Sequence, residues 1–313
     1  MAEQGRLVST GSVIVDLVLT VDRVPDPGGD TVASSSLLTA GGGYNTLLAA
    51  TRDGTGVVYA GQYGTGPFGE LVRRALAELD VEVVQAGLAD HDSGYCVALV
   101  DASSERTFVT TVGAEGALTR ADLDLVPVRG ADTVYVTGYS LAHPERHGLL
   151  PGWVADLPPA VRVVSDPSPL VAELDPRSLA RLLARTDLLS ANAREARLMT
   201  GLATPAEAAL ALVRRVREHG HVVVRDGADG CWLAGPEVAD RARHVPGFAV
   251  RAVDSTGAGD THVAVLAGAL NRGLDLRAAA RRANAAAALS VTRSGPATAP
   301  GTAEIDALLA GPG

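Results

Sequence analysis

Short β-branched runs alternate with Ala- and Leu-rich amphipathic stretches through most of the chain. Leu7 to Asp16 is a short β-branched run ending in a carboxylate, and reads as a buried strand. Asp22–Asp30, rich in Pro and Gly, predicts a loop, and Thr31–Ser36 a β-ribbon. Gly41-Gly42-Gly43 then opens a helix through Ala50. Beyond it, strands are expected at Val57–Ala60, Thr133–Val136, Val161–Ser165, Leu188–Ser190 and His221–Arg225, with helices at Phe68–Leu79 and Pro205–His219. Tyr95–Val100 and Thr107–Val112 flank a polar turn, as in a hairpin. Such alternation predicts one α/β domain over residues 1–313: a three-layer α/β/α, doubly wound, mostly parallel sheet. The ribbon-like pieces at about 17–38 and 88–113 interrupt the alternation and are assigned to a small β lid.

Composition narrows the chemistry. The 313 residues carry a net charge of −9, which leaves no footprint for nucleic acid or an anionic membrane. All 27 basic residues are Arg and none is Lys, so a Walker-type phosphate lysine and a Schiff-base lysine are excluded. Phosphate chemistry here must rest on Arg, metal ions and backbone N–H groups. Cys96 and Cys231 are too few for a thiolate metal site and read as structural thiols of a reducing compartment. No N-terminal leader pattern and no membrane-length apolar run stand out, so a cytoplasmic location is expected.

One stretch carries chemistry: Val253-Asp254-Ser255-Thr256-Gly257-Ala258-Gly259-Asp260, followed by the apolar helix Val263–Leu270. It reads as strand, Gly-rich turn and helix in that order. Small residues admit close approach of a ligand, and the helix start offers free N–H groups and the positive end of its dipole to an anion. Asp260 falls in the first turn, aimed at the same spot. An anion cradle beside a carboxylate suits phosphoryl transfer, in which oxygens need charge stabilisation and the acceptor hydroxyl must lose a proton. The plainer role of a first-turn Asp is helix capping; Gly257-Ala258-Gly259 and the second carboxylate, Asp254, favour catalysis.

Asp254–Asp260 resembles the C-terminal signature of the ribokinase/PfkB family of carbohydrate kinases, written D-T-x-G-A-G-D. Further motifs follow in family order: Asp16, then Ala40–Asn45 for G-G-x-x-x-N, then Gly61–Gly64 with Phe68-Gly69, Asn192–Glu195 for N-x-x-E, and Arg225–Gly230 for the nucleotide loop. The resemblance implies a ribokinase-like fold and ATP-dependent phosphorylation of a hydroxyl on a small polyhydroxylated molecule. It implies Asp260 as general base, with the N–H groups of Gly257, Ala258, Gly259 and Asp260 as an anion hole. Asp16, Gly41, Gly42, Gly43 and Asn45 would hold the substrate. Asn192, Arg225, Gly227, Gly230, Gly259 and Asn284 would line the ATP site. Glu195, with Asn192, would organise Mg²⁺ through water. Asp254, Thr256, Ser290, Arg293 and Gly295 would surround a monovalent cation such as K⁺.

Asn192-x-x-Glu195 also has the spacing of a helix capping box, and both roles can coexist. Ala40 stands where the family has its first Gly, Thr65 and Gly66 where it has an Asp, and Ser255 where it has Thr. The acceptor is expected to be a sugar or sugar derivative with a primary hydroxymethyl group, with Arg106 as the candidate partner of a sugar acid. The alternatives are a nucleoside kinase of the same family and a non-catalytic nucleotide- or sugar-binding regulatory module. A dinucleotide-dependent oxidoreductase lacks its G-x-G-x-x-G in the first strand–helix turn. Exposed lid edges also suggest a homodimer through the lid.

Overall fold

A computed structural model describes residues 4–103, 105–142, 148–236 and 241–311. The strands are β1 (Leu7–Ser9), β2 (Val13–Thr20), β3 (Ser35–Gly42), β4 (Val57–Tyr59), β5 (Glu82–Val83), β6 (Tyr95–Val100), β7 (Arg106–Thr111), β8 (Thr133–Thr137), β9 (Arg162–Asp166), β10 (Leu188–Asn192), β11 (His221–Arg225), β12 (Gly230–Ala234) and β13 (Arg243–Pro246). Nine of them form a central sheet in the order β13-β12-β11-β10-β9-β8-β1-β4-β5. It is parallel from β11 to β5, and β12 and β13 are added antiparallel at one edge. A helix lies between most of the parallel strands, which right-handed crossovers require.

Successive strand residues face opposite sides and feed two separate cores. Leu7, Val57, Val164, Leu188 and Val223 pack on one face with α1 (Tyr44–Arg52), α2 (Pro67–Glu78), α8 (Ala258–Asn271), α9 (Leu276–Ser290) and α10 (Thr302–Ala310). Val8, Val58, Val163, Leu189 and Val222 pack on the other with α3 (Arg120–Asp124), α4 (Leu149–Asp156), α5 (Pro176–Leu183), α6 (Ala193–Thr200) and α7 (Pro205–Leu212). This is the expected α/β/α sandwich.

A second sheet, in the order β3-β2-β6-β7, stands apart from the first. Asp16 pairs in register with Thr39 on one side and Cys96 on the other, and Cys96 with Thr110. These four therefore share a face, together with Val18, Leu37, Ala98, Phe108 and Arg106. The opposite face carries Leu38, Leu17, Val97 and Val109 in one row. At its root, Val15 and Ala40 join the α1–α2 core.

Several boundaries differ from the sequence reading. The run Leu7–Asp16 is two strands in different sheets, broken at Thr10-Gly11-Ser12, so Asp16 lies within β2 rather than at a strand end. The ribbon expected at Thr31–Ser36 begins only at Ser35 and runs on through Gly41 and Gly42, and α1 starts at Tyr44 rather than at the glycines. The helix expected over Pro205–His219 ends at Leu212; turns follow and His219 takes a left-handed backbone (φ 65°). Val253 belongs to no strand: residues between β13 and α8 form a loop, and Val253 is solvent-exposed. No helix among the described residues is long and apolar enough to cross a membrane.

Candidate active site

The loop after β13 brings Gly257 to the head of α8 in a left-handed conformation (φ 74°), which only glycine adopts without strain; a Cβ there would also meet the Pro296 carbonyl at 2.6 Å. The turn leaves the N–H groups of Gly257, Gly259 and Asp260 without protein acceptors among the described residues, whereas that of Ala258 bonds the Ser255 carbonyl at 3.3 Å. Of the four N–H groups expected to form an anion hole, three are thus free and that of Ala258 is engaged. Asp260, in the first turn, accepts from Thr46 Oγ1 at 3.0 Å, and the nearby Asn45 side chain favours its ionised form. Burial and the nearby Asp166 push its pKa up to about 6.

The second sheet supplies the facing wall. The Asp16 carboxylate reaches toward Gly41, where a Cβ would sit 1.9 Å from Asp16 Oδ2, so any side chain at 41 would displace it. No donor among the described residues bonds this carboxylate, and burial raises its pKa to about 6. Gly42 and Gly43 lead into α1, which presents Asn45 and Thr46 to Asp260. Asn45 is buried and its Oδ1 has no partner among the described residues. A buried acceptor without a donor is costly, and a substrate hydroxyl would satisfy it.

Beneath the head of α8 three neighbouring parallel strands contribute polar groups: Asp166 at the end of β9, Ser190 within β10 and Arg225 at the end of β11. Arg225 Nη1 donates to Asp166 Oδ2 at 2.8 Å and to Ser190 Oγ at 2.7 Å. Asn192 and Glu195 form the capping box of α6: Asn192 N donates to Glu195 Oε2 at 2.8 Å, Asn192 Nδ2 to Oε1 at 2.6 Å, and Glu195 N to Asn192 Oδ1 at 2.8 Å. Burial and the Asp166 charge raise the pKa of Glu195. Two cavities meet here. One of about 780 Å³ has mainly apolar walls, among them Ala228, Pro246, Phe248, Ala287 and Val291, with Gly227, Gly230 and Asn284 also lining it. The other, of about 210 Å³, holds Asp166, Glu195, Tyr139 and Asp260. Asn192, Arg225 and Gly259 line both. An apolar cavity reaching Gly259 at the head of α8, joined to a smaller one that holds a raised-pKa carboxylate, suits nucleotide-dependent phosphoryl transfer.

Residues 4–303 match the model of the pfkB family carbohydrate kinases. The chain belongs to the pfkB family of carbohydrate kinases. As a member it is a phosphotransferase with an alcohol acceptor. It is 28% identical over 298 residues to an uncharacterized sugar kinase of Escherichia coli K12, YegV, covering 94% of this chain and 91% of that one. It is 30% identical over 313 residues to an ATP-dependent ribose-1-phosphate kinase of Halopiger xanaduensis, covering 97% and 98%. The fold matches that of Arabidopsis thaliana ribokinase, solved with ribose and ATP, with a TM-score of 0.83 at 23% identity over 99% of this chain and 100% of that one.

In this pfkB member, the loops carrying the remaining family positions lie together. Val253 N and Asp254 N both donate to the Val291 carbonyl, and Thr298 Oγ1 donates to the Ser290 carbonyl. The Asp254 carboxylate accepts from Thr256 N at 2.8 Å, Gly295 N at 3.1 Å and, across the cleft, Arg106 Nη2 at 2.5 Å. These donors hold its pKa below the usual carboxylate range against the effect of burial. Arg293 turns outward to Glu304. His262 is buried behind the large cavity; Asn284 Nδ2 donates to the Val245 and Pro246 carbonyls, so Asn284 Oδ1 must accept from His262 Nε2–H. Tyr44 is a core residue. Both thiols are buried and free. Sequence reasoning missed Thr46, Asp166, Ser190 and Tyr139. For Asp166 a signal existed, since a carboxylate ending a parallel strand faces the ligand crevice of a doubly wound sheet.

Proposed function

We propose that this kinase transfers the terminal phosphoryl group of ATP to a hydroxyl, a primary hydroxymethyl, of a sugar or sugar derivative. The observation that carries this reading is the position of Asp260. It stands beside the free N–H groups of Gly257, Gly259 and Asp260, lines the smaller cavity that adjoins the large apolar one, and is held by Thr46 next to Asn45. Asp16 and Asn45 orient the acceptor, and Asp260 takes the proton from its hydroxyl as that oxygen attacks phosphorus. The three N–H groups and the α8 dipole stabilise charge on the phosphoryl oxygens. The nucleotide occupies the large cavity, with Gly227, Gly230 and Asn284 along its wall. An Escherichia coli structure related at 21% identity is a complex with ATP and Mg²⁺.

The carboxylates near the phosphates are already engaged by protein donors, and no metal-binding cluster of three such side chains is found among the described residues. That suits a magnesium ion held through its own waters by Asn192 and Glu195. When bound, it neutralises phosphate charge. A monovalent cation is assigned to the loop pair Asp254, Thr256 and Ser290, Arg293, Gly295. Arg106 is committed to Asp254, which favours a neutral acceptor over a sugar acid. A nucleoside stays as the second reading, because Phe108 lies on the Asp16 face of the second sheet and is 58% exposed. The need for cytosolic ATP and the two free thiols support a cytoplasmic location.

The test is ADP release with ATP and Mg²⁺ over pentoses, hexoses, sugar acids and nucleosides, with and without K⁺, and with no acceptor. One neutral sugar should turn over, with little ATP consumed in its absence because the second sheet covers the acceptor. Absence of any turnover with ATP still bound would leave a regulatory module. Both Asp260 and Asp16 have pKa values raised to about 6 and both act ionised, so kcat/KM should fall below pH 6 more steeply than for one proton. A flat profile down to pH 5 would refute the assignment of both.

We also propose a homodimer through the second sheet. Its outer row Leu38–Leu17–Val97–Val109 is apolar, with Leu38 49% and Val109 65% exposed, and β3 and β7 are open edges. A second copy can offer the same apolar row and edge in a closed twofold contact. Light scattering should give twice the chain mass, and Val109→Glu should give a monomer; a monomeric wild type at micromolar concentration excludes the proposal.

A further inference from the structure

We propose that Arg225 is a catalytic residue of the phosphoryl transfer, its guanidinium clamped from below and donating from Nη2 to a non-bridging oxygen of the moving phosphoryl group. The inference rests on the kinase reading above and assigns it a cation. In the step, the acceptor oxygen forms a bond to phosphorus as the bond from phosphorus to the β–γ bridging oxygen breaks. The hydroxyl proton goes to Asp260 and ADP leaves. Negative charge spreads over the equatorial oxygens, and in a chain without Lys a guanidinium is the side-chain cation available to meet it.

Three observations place Arg225 there. It lines both cavities, together with Asn192 and Gly259, and so stands where nucleotide and acceptor sites join. It is anchored: Nη1 alone serves Asp166 and Ser190, and the side chain is 12% exposed. And it is not fully spent. Nη2 forms only a 3.6 Å ion pair with the buried Glu195 Oε2, longer than a hydrogen bond, and donates no hydrogen bond among the described residues.

Gly259 completes the geometry. A Cβ at that position would lie 3.6 Å from Arg225 Nη2, so the guanidinium packs against the first turn of α8, which carries the free N–H groups. An oxygen held by those groups is within reach of the same fork. Fork geometry and charge together make such a contact stronger than a neutral hydrogen bond.

The test compares Arg225→Lys and Arg225→Met with wild type on the acceptor found above. It reads kcat, acceptor KM, the ADP dissociation constant with Mg²⁺, and the tightening of ADP by aluminium fluoride, a mimic of the transferring group. Arg225→Met should lower kcat by about 10²–10³-fold, leave ADP affinity within about twofold, and lose the aluminium fluoride tightening; Arg225→Lys should show a smaller fall of the same kind. If Arg225→Met does not fold, Arg225→Lys decides, since it keeps the charge opposite Asp166. Unchanged kcat in a folded variant overturns the proposal, as does a loss of kcat matched by ADP affinity with the fluoride effect intact. A wild type that turns over no acceptor removes the kinase reading as well. Wild-type turnover that the variants retain removes this proposal alone.

Discussion

Asp260→Asn is expected to lower kcat by about 10²–10⁴-fold, to leave ADP affinity nearly unchanged, and to raise the thermal midpoint. Loss of rate follows from loss of the proton acceptor, while Asn still accepts from Thr46 and leaves the backbone N–H groups in place. Gain of stability follows from the cost of the charge. A carboxyl pKa raised from 3.8 to about 6 means that the folded protein holds the ionised form less readily than the unfolded chain does. At about 1.4 kcal/mol per unit, the destabilisation is at most about 3 kcal/mol. It is present in full above pH 6 and fades as pH falls through 6 toward 4. Asn carries no charge to desolvate, so the stability gap between variant and wild type should be largest at pH 7 and should shrink by roughly half at pH 5. Calorimetry at both pH values, beside the ADP-release assay, separates the roles. A capping aspartate would give a variant that is less stable and still active; a catalytic one gives a variant that is more stable and inactive.

The sequence was most legible where local chemistry and global position agree. The strand–helix rhythm specified the parallel sheet because buried parallel strands are continuous apolar runs, and Val222-Val223-Val224 feeds both cores at once. Asp254–Asp260 was readable because small residues, left-handed glycine and a first-turn carboxylate converge in one segment. The misreadings share a cause: the periodic signal does not show which sheet a strand joins. Leu7–Asp16 reads as one β-branched run, yet Thr10-Gly11-Ser12 redirects it from the central sheet to the second one, and only the pairing of Asp16 with Thr39 and Cys96 shows which way the carboxylate faces. Val253 reads as a strand from its neighbours, but it is held by Val291 in a loop contact that no local pattern encodes. Asp166, Ser190 and Arg225 are 59 residues apart from first to last in sequence, as their contact records. Their convergence is a property of the strand order, which brings β9, β10 and β11 side by side.

The largest effect on stability is expected far from this cluster, at Asp53. Its side chain is fully buried at the C-terminal end of α1, where it accepts from Arg272 Nη2 at 2.5 Å and from Arg282 Nη2 at 2.5 Å. Arg272 also donates to the Asp53 carbonyl and to Thr55 Oγ1, and Arg282 to Asp306 on α10. One carboxylate therefore ties α1, α8 and α9 together, and through Arg282 also α10. Asp53→Ala leaves Arg272 without its carboxylate and Arg282 with only the exposed Asp306, which should cost about 3–5 kcal/mol. Thermal melts should show a fall of roughly 10 °C. The activity of the folded variant should not change in proportion, because α8 spans 14 residues and holds Arg272 about 20 Å from Gly257. There is a route by which it could: α1 and α8 pack along their length, with Asp53–Arg272 at one end and Thr46–Asp260 at the other. If the far clamp sets the register of the two helices, Asp53→Ala would lower kcat well below its melting temperature, and the acid limb of the rate profile would move as Thr46 released Asp260. If the clamp serves stability alone, kcat and that limb stay fixed while the melt falls, which is the outcome expected here. The Thr46–Asp260 bond then needs only the packing of the first turns of the two helices.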